Sequence, residues 1–94
     1  MVRLFALAAS LLTADPAVIP LSLKVGEVWP VCQRSTIICP AHTPICDNPL
    51  VAVGEFDPHL GLVWRGVGPG TTLCSASAHG APGSLRTVFR VTVR

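Results

Sequence analysis

Residues 60–76 read LGLVWRGVGPGTTLCSA, and the rest of the chain is interpreted outward from this stretch. Apolar side chains at Leu60, Leu62 and Trp64 recur at every second position, as in a strand with one buried face. A turn rich in glycine follows, and glycine tolerates the positive φ that tight turns need. The second half alternates again and places Cys74 with small residues on one face. The stretch therefore predicts a hairpin of two strands.

Alternation of period two also marks residues 18–25 and 85–94, the first and last strands of the predicted domain. Pro20 has no N–H to donate to a ladder, so we expect the first strand at a sheet edge. Three arginines on the outer face of the last strand are expected to prevent edge-to-edge pairing. They are Arg86, Arg90 and Arg94.

Shorter apolar runs at 28–32 and 50–53 predict two more strands, and the Asp57-Pro58 pair predicts a turn over residues 54–59. Between them, residues 33–44 are more polar and contain two prolines, which predicts a long loop with a short strand near 37–39. Nine prolines and eight glycines among 94 residues break up long helices and mark frequent turns. This composition favours a small all-β domain.

Four cysteines in so short a chain predict two disulfides. No C-x-x-C pair is present, which argues against a zinc site and against a thioredoxin-like redox motif. The preferred pairing is Cys46 with Cys74, as a staple between two sheet elements, and Cys32 with Cys39, which would pin the loop. A Cys32–Cys74 bond stays open as the alternative and would resemble the inter-sheet bridge of immunoglobulin domains.

Residues 1–14 have the layout of a secretory signal: Arg3, a nine-residue apolar run and then small residues. Nine residues are too few to span about 30 Å of hydrocarbon, so no integral membrane anchor is expected after processing. Cleavage is expected after Ala14, with Ala17 as the second choice. The alternative is that the apolar run packs on the domain. A secreted, periplasmic or cell-surface location follows from the signal interpretation.

Charge and motif content exclude several function classes. Only 13% of the residues are charged, the net charge is +2, the basic residues are dispersed and tyrosine is absent, which argues against nucleic-acid binding. No G-x-S-x-G or H-E-x-x-H motif occurs, and the glycine-rich turn precedes a strand pattern, unlike a phosphate loop. The histidines His42, His59 and His79 are interpreted as exposed loop residues. No enzyme activity, cofactor, metal or small-molecule substrate is therefore expected.

The order of motifs also resembles a known family. The run G-L-V-W-R-G-V-G-P-G-T-T-L-C, followed by a turn and V-F-R-V-T-V, is similar to the C-terminal half of bacterial Ig-like domains of the invasin and intimin kind. With N-P-L-V-A-V upstream and L-K-V-G-E near the start, it is also similar to the small β domain at the N-terminus of pilus-assembly secretin proteins. The resemblance spans roughly residues 21–93. It implies a small Ig-like antiparallel β-sandwich of about seven short strands, stapled by disulfides, over residues 15–94.

The expected function is binding of a protein partner or self-association, as an accessory or structural subunit of a cell-envelope or surface assembly. The contact surface would be the pinned loop, the turns or an open sheet edge that accepts an added strand. The alternative is a soluble inhibitor or ligand-binding module that inserts the 33–44 loop into a partner. The candidate contact residues are Gln33, Arg34, Ser35, Thr36, Ile37, Ile38, His42, Arg86 and Arg90.

Overall fold

The computed structural model describes residues 18–82 and 85–94, so the predicted signal segment 1–14 lies outside the described residues. Seven strands and one single-turn helix make up the described chain. In order they are β1 (Val18–Leu23), β2 (Val28–Pro30), α1 (Val31–Arg34), β3 (His42–Cys46), β4 (Ala52–Asp57), β5 (Gly61–Gly66), β6 (Gly70–Ser77) and β7 (Thr87–Val93).

The strands form two packed sheets. One sheet has four strands in the order β1-β7-β6-β3, and the other has three in the order β2-β5-β4. Only the β1–β7 pair is parallel; all other neighbours are antiparallel. The predicted Ig-like β-sandwich of about seven short strands is confirmed, and β1 lies at a sheet edge, as Pro20 predicted.

An aromatic cluster joins the two layers. Phe89 of β7 lies edge-on to Trp64 of β5, with ring centroids 5.4 Å apart, and to Trp29 of β2 at 6.0 Å. Such edge-to-face pairs add to the stabilisation from apolar burial. The inward residues of β1, β6 and β7 complete the core, as their alternation predicted: Leu21, Leu23, Thr72, Cys74, Ala76, Phe89, Val91 and Val93.

Residues 60–76 do not form the predicted hairpin. Both strands are present, but β5 pairs with β2 and β4, whereas β6 pairs with β3 and β7 in the other sheet. The glycine-rich connection therefore carries the chain from one sheet to the other. Gly70 has φ of +144°, and a Cβ there would lie 2.9 Å from Val51 Cγ2, so the crossing requires glycine.

The predicted loop 33–44 is shorter than expected. The preceding strand ends at Pro30, and α1 follows, closed by the N–H and hydroxyl of Ser35, which both donate to the Val31 carbonyl. No strand forms at 37–39; instead β3 begins at His42. Pro44 favoured a loop in the sequence, but it lies on the open edge of β3, where no N–H is needed.

Two further features differ from the prediction: the extent of β4 and the position of β7 in its sheet. The strand expected at 50–53 is β4, which continues through the expected turn to Asp57. Gly54 suggested a turn, yet it lies within β4. Glycine is needed there because a Cβ would stand 2.5 Å from Pro44 Cβ. The last strand, β7, is not an edge strand, since β1 and β6 flank it. Its arginines therefore cannot serve to block edge pairing.

Both predicted disulfides are present, Cys32–Cys39 and Cys46–Cys74. The second joins two sheet elements, as predicted, but it does not tie the two sheets together. Cys46 and Cys74 are opposed residues on the neighbouring strands β3 and β6, so the bond lies within the four-stranded sheet. Two such bonds are typical of proteins that mature in an oxidising environment.

Candidate contact surface

Several connections lie at one end of the sandwich, here called the loop end. The register places the end of β2 beside the start of β5, and the start of β3 beside the end of β6. The loop end therefore carries α1 with residues 35–41, the turn 58–60, and residues 78–82 after β6. The predicted loop is thus one part of a composite surface.

The segment 35–41 is braced from several sides. The Cys32–Cys39 disulfide joins it to α1, and the backbone N–H of His79 donates to the Ile38 carbonyl at 2.7 Å. Ala41 is buried, and Ile37 packs against the core. These contacts hold the segment between the two sheets.

Ile38 is the apolar residue that this bracing presents to solvent. Its side chain is 64% exposed, although both neighbours along the chain are half-buried. Leu85, two residues before the start of β7, is also exposed, at 62%. Exposed apolar side chains on a fixed backbone are a feature of protein-binding surfaces, because little conformational entropy remains to be lost.

The other residues predicted in the loop have mixed roles. Gln33 and Thr36 are exposed. The guanidinium carbon of Arg34 lies 5.5 Å from the centre of the Trp29 ring, a cation–π arrangement that holds this cation beside α1. Ser35 closes the helical turn. His42 is exposed, and its Nδ1 lies 2.9 Å from the Thr43 hydroxyl.

Arg86 is engaged in the fold. Its Nε donates to Ser75 Oγ at 2.8 Å, its Nη1 to Ser77 Oγ at 3.1 Å, and its Nη2 to the Ser75 carbonyl at 2.9 Å and to the Thr43 carbonyl. The guanidinium thereby links the segment before β7 to β6 and β3. Most of its N–H groups thus donate within the domain, and few are left to bind a partner.

Arg90 lies apart from the loop end. It stands exposed on the outer face of the four-stranded sheet, between Pro20 of β1 and Leu73 of β6 in register. Leu73 is itself 43% exposed. The structure therefore does not bring Arg90 together with the residues of the 33–44 segment.

The turn between β4 and β5 is closed by a carboxylate. Asp57 Oδ1 accepts hydrogen bonds from the backbone N–H groups of His59 at 2.7 Å and Leu60 at 2.9 Å. These bonds hold the pKa of the Asp57 carboxyl below its ordinary value. In residues 18–82 and 85–94, no three His, Cys, Asp or Glu side chains are grouped as metal ligands.

Two features of this surface were missed in the sequence. The predicted last strand, 85–94, includes Leu85 on the same face as Phe89, but β7 begins only at Thr87 and Leu85 is exposed. The bonding of Arg86 was missed because its partners lie 9 to 43 positions away in the chain. Neither feature has a local signal in the sequence.

Searches of the chain against models of known protein families, curated proteins and solved structures find no match. Within the described residues, no helix has the length and apolar character needed to cross a membrane.

Proposed function

We propose that the chain is an exported, non-catalytic Ig-like domain that acts through protein contacts, as an accessory or structural subunit of a cell-envelope or surface assembly. The observation that carries this proposal is the braced segment 35–41, which presents Ile38 to solvent and is held by a hydrogen bond from His79 to the Ile38 carbonyl. A secreted, periplasmic or cell-surface location agrees with two disulfides in a small domain. Kinship with bacterial Ig-like domains is part of the same proposal.

A soluble inhibitor or ligand-binding module is the second candidate. The rigid bracing of segment 35–41 favours it, since a pre-organised loop can enter a partner's cleft with a small entropic cost. The two candidates differ in the size of the complex that they predict. An assembly subunit should co-purify with a large complex, whereas an inhibitor should form a complex of defined small stoichiometry.

The test compares two single substitutions of exposed leucine or isoleucine. Ile38→Ser alters the proposed surface, and Leu50→Ser is the matched control, because Leu50 is 77% exposed near the opposite end, between β3 and β4. We expect tagged parent protein and the Leu50→Ser variant to capture the same partner from native envelope extract, and the Ile38→Ser variant to lose it. Light scattering on the eluted complex then separates the two candidates.

Equal capture by all three proteins would show that the partner does not bind at the loop end. Export is checked separately by N-terminal sequencing of the mature protein, which should begin near Asp15. A retained Met1 would contradict the signal interpretation without affecting the contact surface.

A further inference from the structure

Each sheet has two edge strands, and proline occupies three of these four edges in the described chain: Pro20 in β1, Pro30 in β2 and Pro44 in β3. Each lies where the backbone points away from the sheet, because proline has no N–H for the ladder. Prolines at such positions prevent the addition of another strand. The fourth edge, β4, has no proline.

The hydrogen bonds around β4 show which of its backbone groups point outward. Gly66, which lies opposite Ala52, donates its N–H to the Glu27 carbonyl on its other side and accepts the Gly26 N–H there at its C=O. Ala52 accordingly directs its N–H away from β5, to the Asn48 carbonyl. Because direction alternates along an antiparallel ladder, Gly54 and Phe56 also point outward.

No hydrogen-bond partner for the backbone N–H and C=O groups of Gly54 and Phe56 is found in residues 18–82 and 85–94. Phe56 is also unusual in its side chain. Phe56 and the inward-pointing Ala52 are four positions apart, so their side chains lie on the same face of β4. Phe56 is nevertheless 61% exposed, at the rim of the sandwich. The β4 edge therefore offers two unpaired peptide groups and an exposed aromatic ring side by side.

We propose that β4 is an interface for a second copy of this chain, which adds its own β4 in antiparallel orientation about a two-fold axis. With the axis at Glu55, Gly54 of each copy pairs with Phe56 of the other, and four backbone hydrogen bonds form. The pairing is self-complementary, as an isologous interface requires. This inference goes beyond the proposed function, because it uses a surface separate from Ile38 and Leu85.

Side chains agree with this register. The Phe56 ring of one copy lies across from Gly54 of the other, which has no side chain, and near the Pro44 that packs on that glycine. On the opposite face the two Glu55 carboxylates meet. Each has its own counter-charge, since Arg65 Nη2 lies 2.6 Å from Glu55 Oε1, so the central cluster is neutral.

The interface is small, so we expect a weak dimer with a Kd between about 10 µM and 1 mM. Sedimentation equilibrium of the full, oxidised chain over that range measures it. Phe56→Pro removes an outward N–H without removing a bond to β5, and it should weaken the dimer about tenfold or more. Ser22→Pro is the matched control, because it adds a proline at an outward position of β1, and it should leave the Kd unchanged.

Amide hydrogen exchange gives a second readout that needs no substitution. Protection of the Gly54 and Phe56 amides should rise with protein concentration, whereas exchange in β1 should not change. Several results would overturn the proposal: a monomer at about 1 mM, equal effects of the two proline variants, or exchange at Gly54 and Phe56 that is independent of concentration. Ile38→Ser should leave the dimer intact, which separates this interface from the loop end.

Discussion

At the residue scale, two arginines of one segment have opposite roles. Arg86 directs its guanidinium at Ser75, Ser77 and the Thr43 carbonyl, whereas Arg90 stands exposed four positions later. Sequence reasoning put both in the same contact surface because both lie on the polar side of one alternating strand. The difference arises from what β6 and β3 present next to each side chain.

Arg86→Ala should lower the free energy of unfolding by about 1–3 kcal/mol, because it removes a multidentate donor from the half-buried acceptor Ser75 and the buried acceptor Ser77. Arg90→Ala should change this free energy by less than about 0.5 kcal/mol. Urea denaturation of both variants measures the difference. Equal effects would show that the Arg86 bonds contribute no net stability.

At the scale of elements, proline and glycine occur in two different structural settings in this chain. Some mark turns, such as Pro58 after Asp57. Others lie inside strands: Pro44 is on an open edge, and Gly54 is where β4 passes close to β3. Because the same residue types occur in both settings, the sequence predicted a loop or a turn at positions that belong to β3 and β4.

The turn after β4 gives an acid-dependent prediction. The pKa of the Asp57 carboxyl is lowered in the folded protein by the backbone N–H groups of His59 and Leu60. The unfolded chain therefore binds this proton more readily, and the stabilisation is present above the unfolded pKa and lost as pH falls through the folded one. In Asp57→Asn, the decline of unfolding free energy below about pH 4 should be shallower.

Denaturant titrations at a series of acidic pH values measure that slope. The amide keeps a side-chain oxygen for the two backbone donors, so the variant should fold like the parent. Identical slopes in both proteins would mean that the Asp57 turn contributes no acid-dependent stability.

At the scale of the whole molecule, a cluster of three aromatic rings links the two layers of the core. Phe89 lies between Trp29 and Trp64 and is fully buried, and these three rings come from both sheets. The two disulfides do not supply this link, since Cys46–Cys74 is internal to one sheet and Cys32–Cys39 joins α1 to the following segment. Packing of apolar side chains therefore holds the layers together.

Phe89→Ala should cost about 3–5 kcal/mol of unfolding free energy, a large part of the total for so small a domain. Phe56→Ala, measured at low micromolar concentration, removes the same side chain from an exposed site and should cost far less. Tryptophan fluorescence and far-UV circular dichroism should report one coincident transition in the parent. Separate transitions would show that the sheets unfold independently of the Phe89 contact.

The sequence alone determined which residues face inward on the clearest strands, that Pro20 lies at an edge, and that four cysteines form two disulfides. Alternation carries this information because side chains of a strand point to opposite faces in turn, whatever the neighbouring strand is. The preferred disulfide pairing was also correct. It rested on Cys46 just before one apolar run and Cys74 inside another, and the sequence could not show that Cys46 lies in a strand next to that of Cys74.

Only the tertiary structure decided that residues 60–76 cross between sheets, that Arg86 is tied to β3 and β6, and that β4 keeps outward Gly54 and Phe56 unpaired. The physical reason is that a strand's partner is chosen by packing and hydrogen bonding with residues far away in the chain. Local periodicity shows only that a strand has a buried face. Two strands joined by a glycine-rich connection therefore have the same sequence pattern whether they pair with each other or lie in opposite sheets across the core.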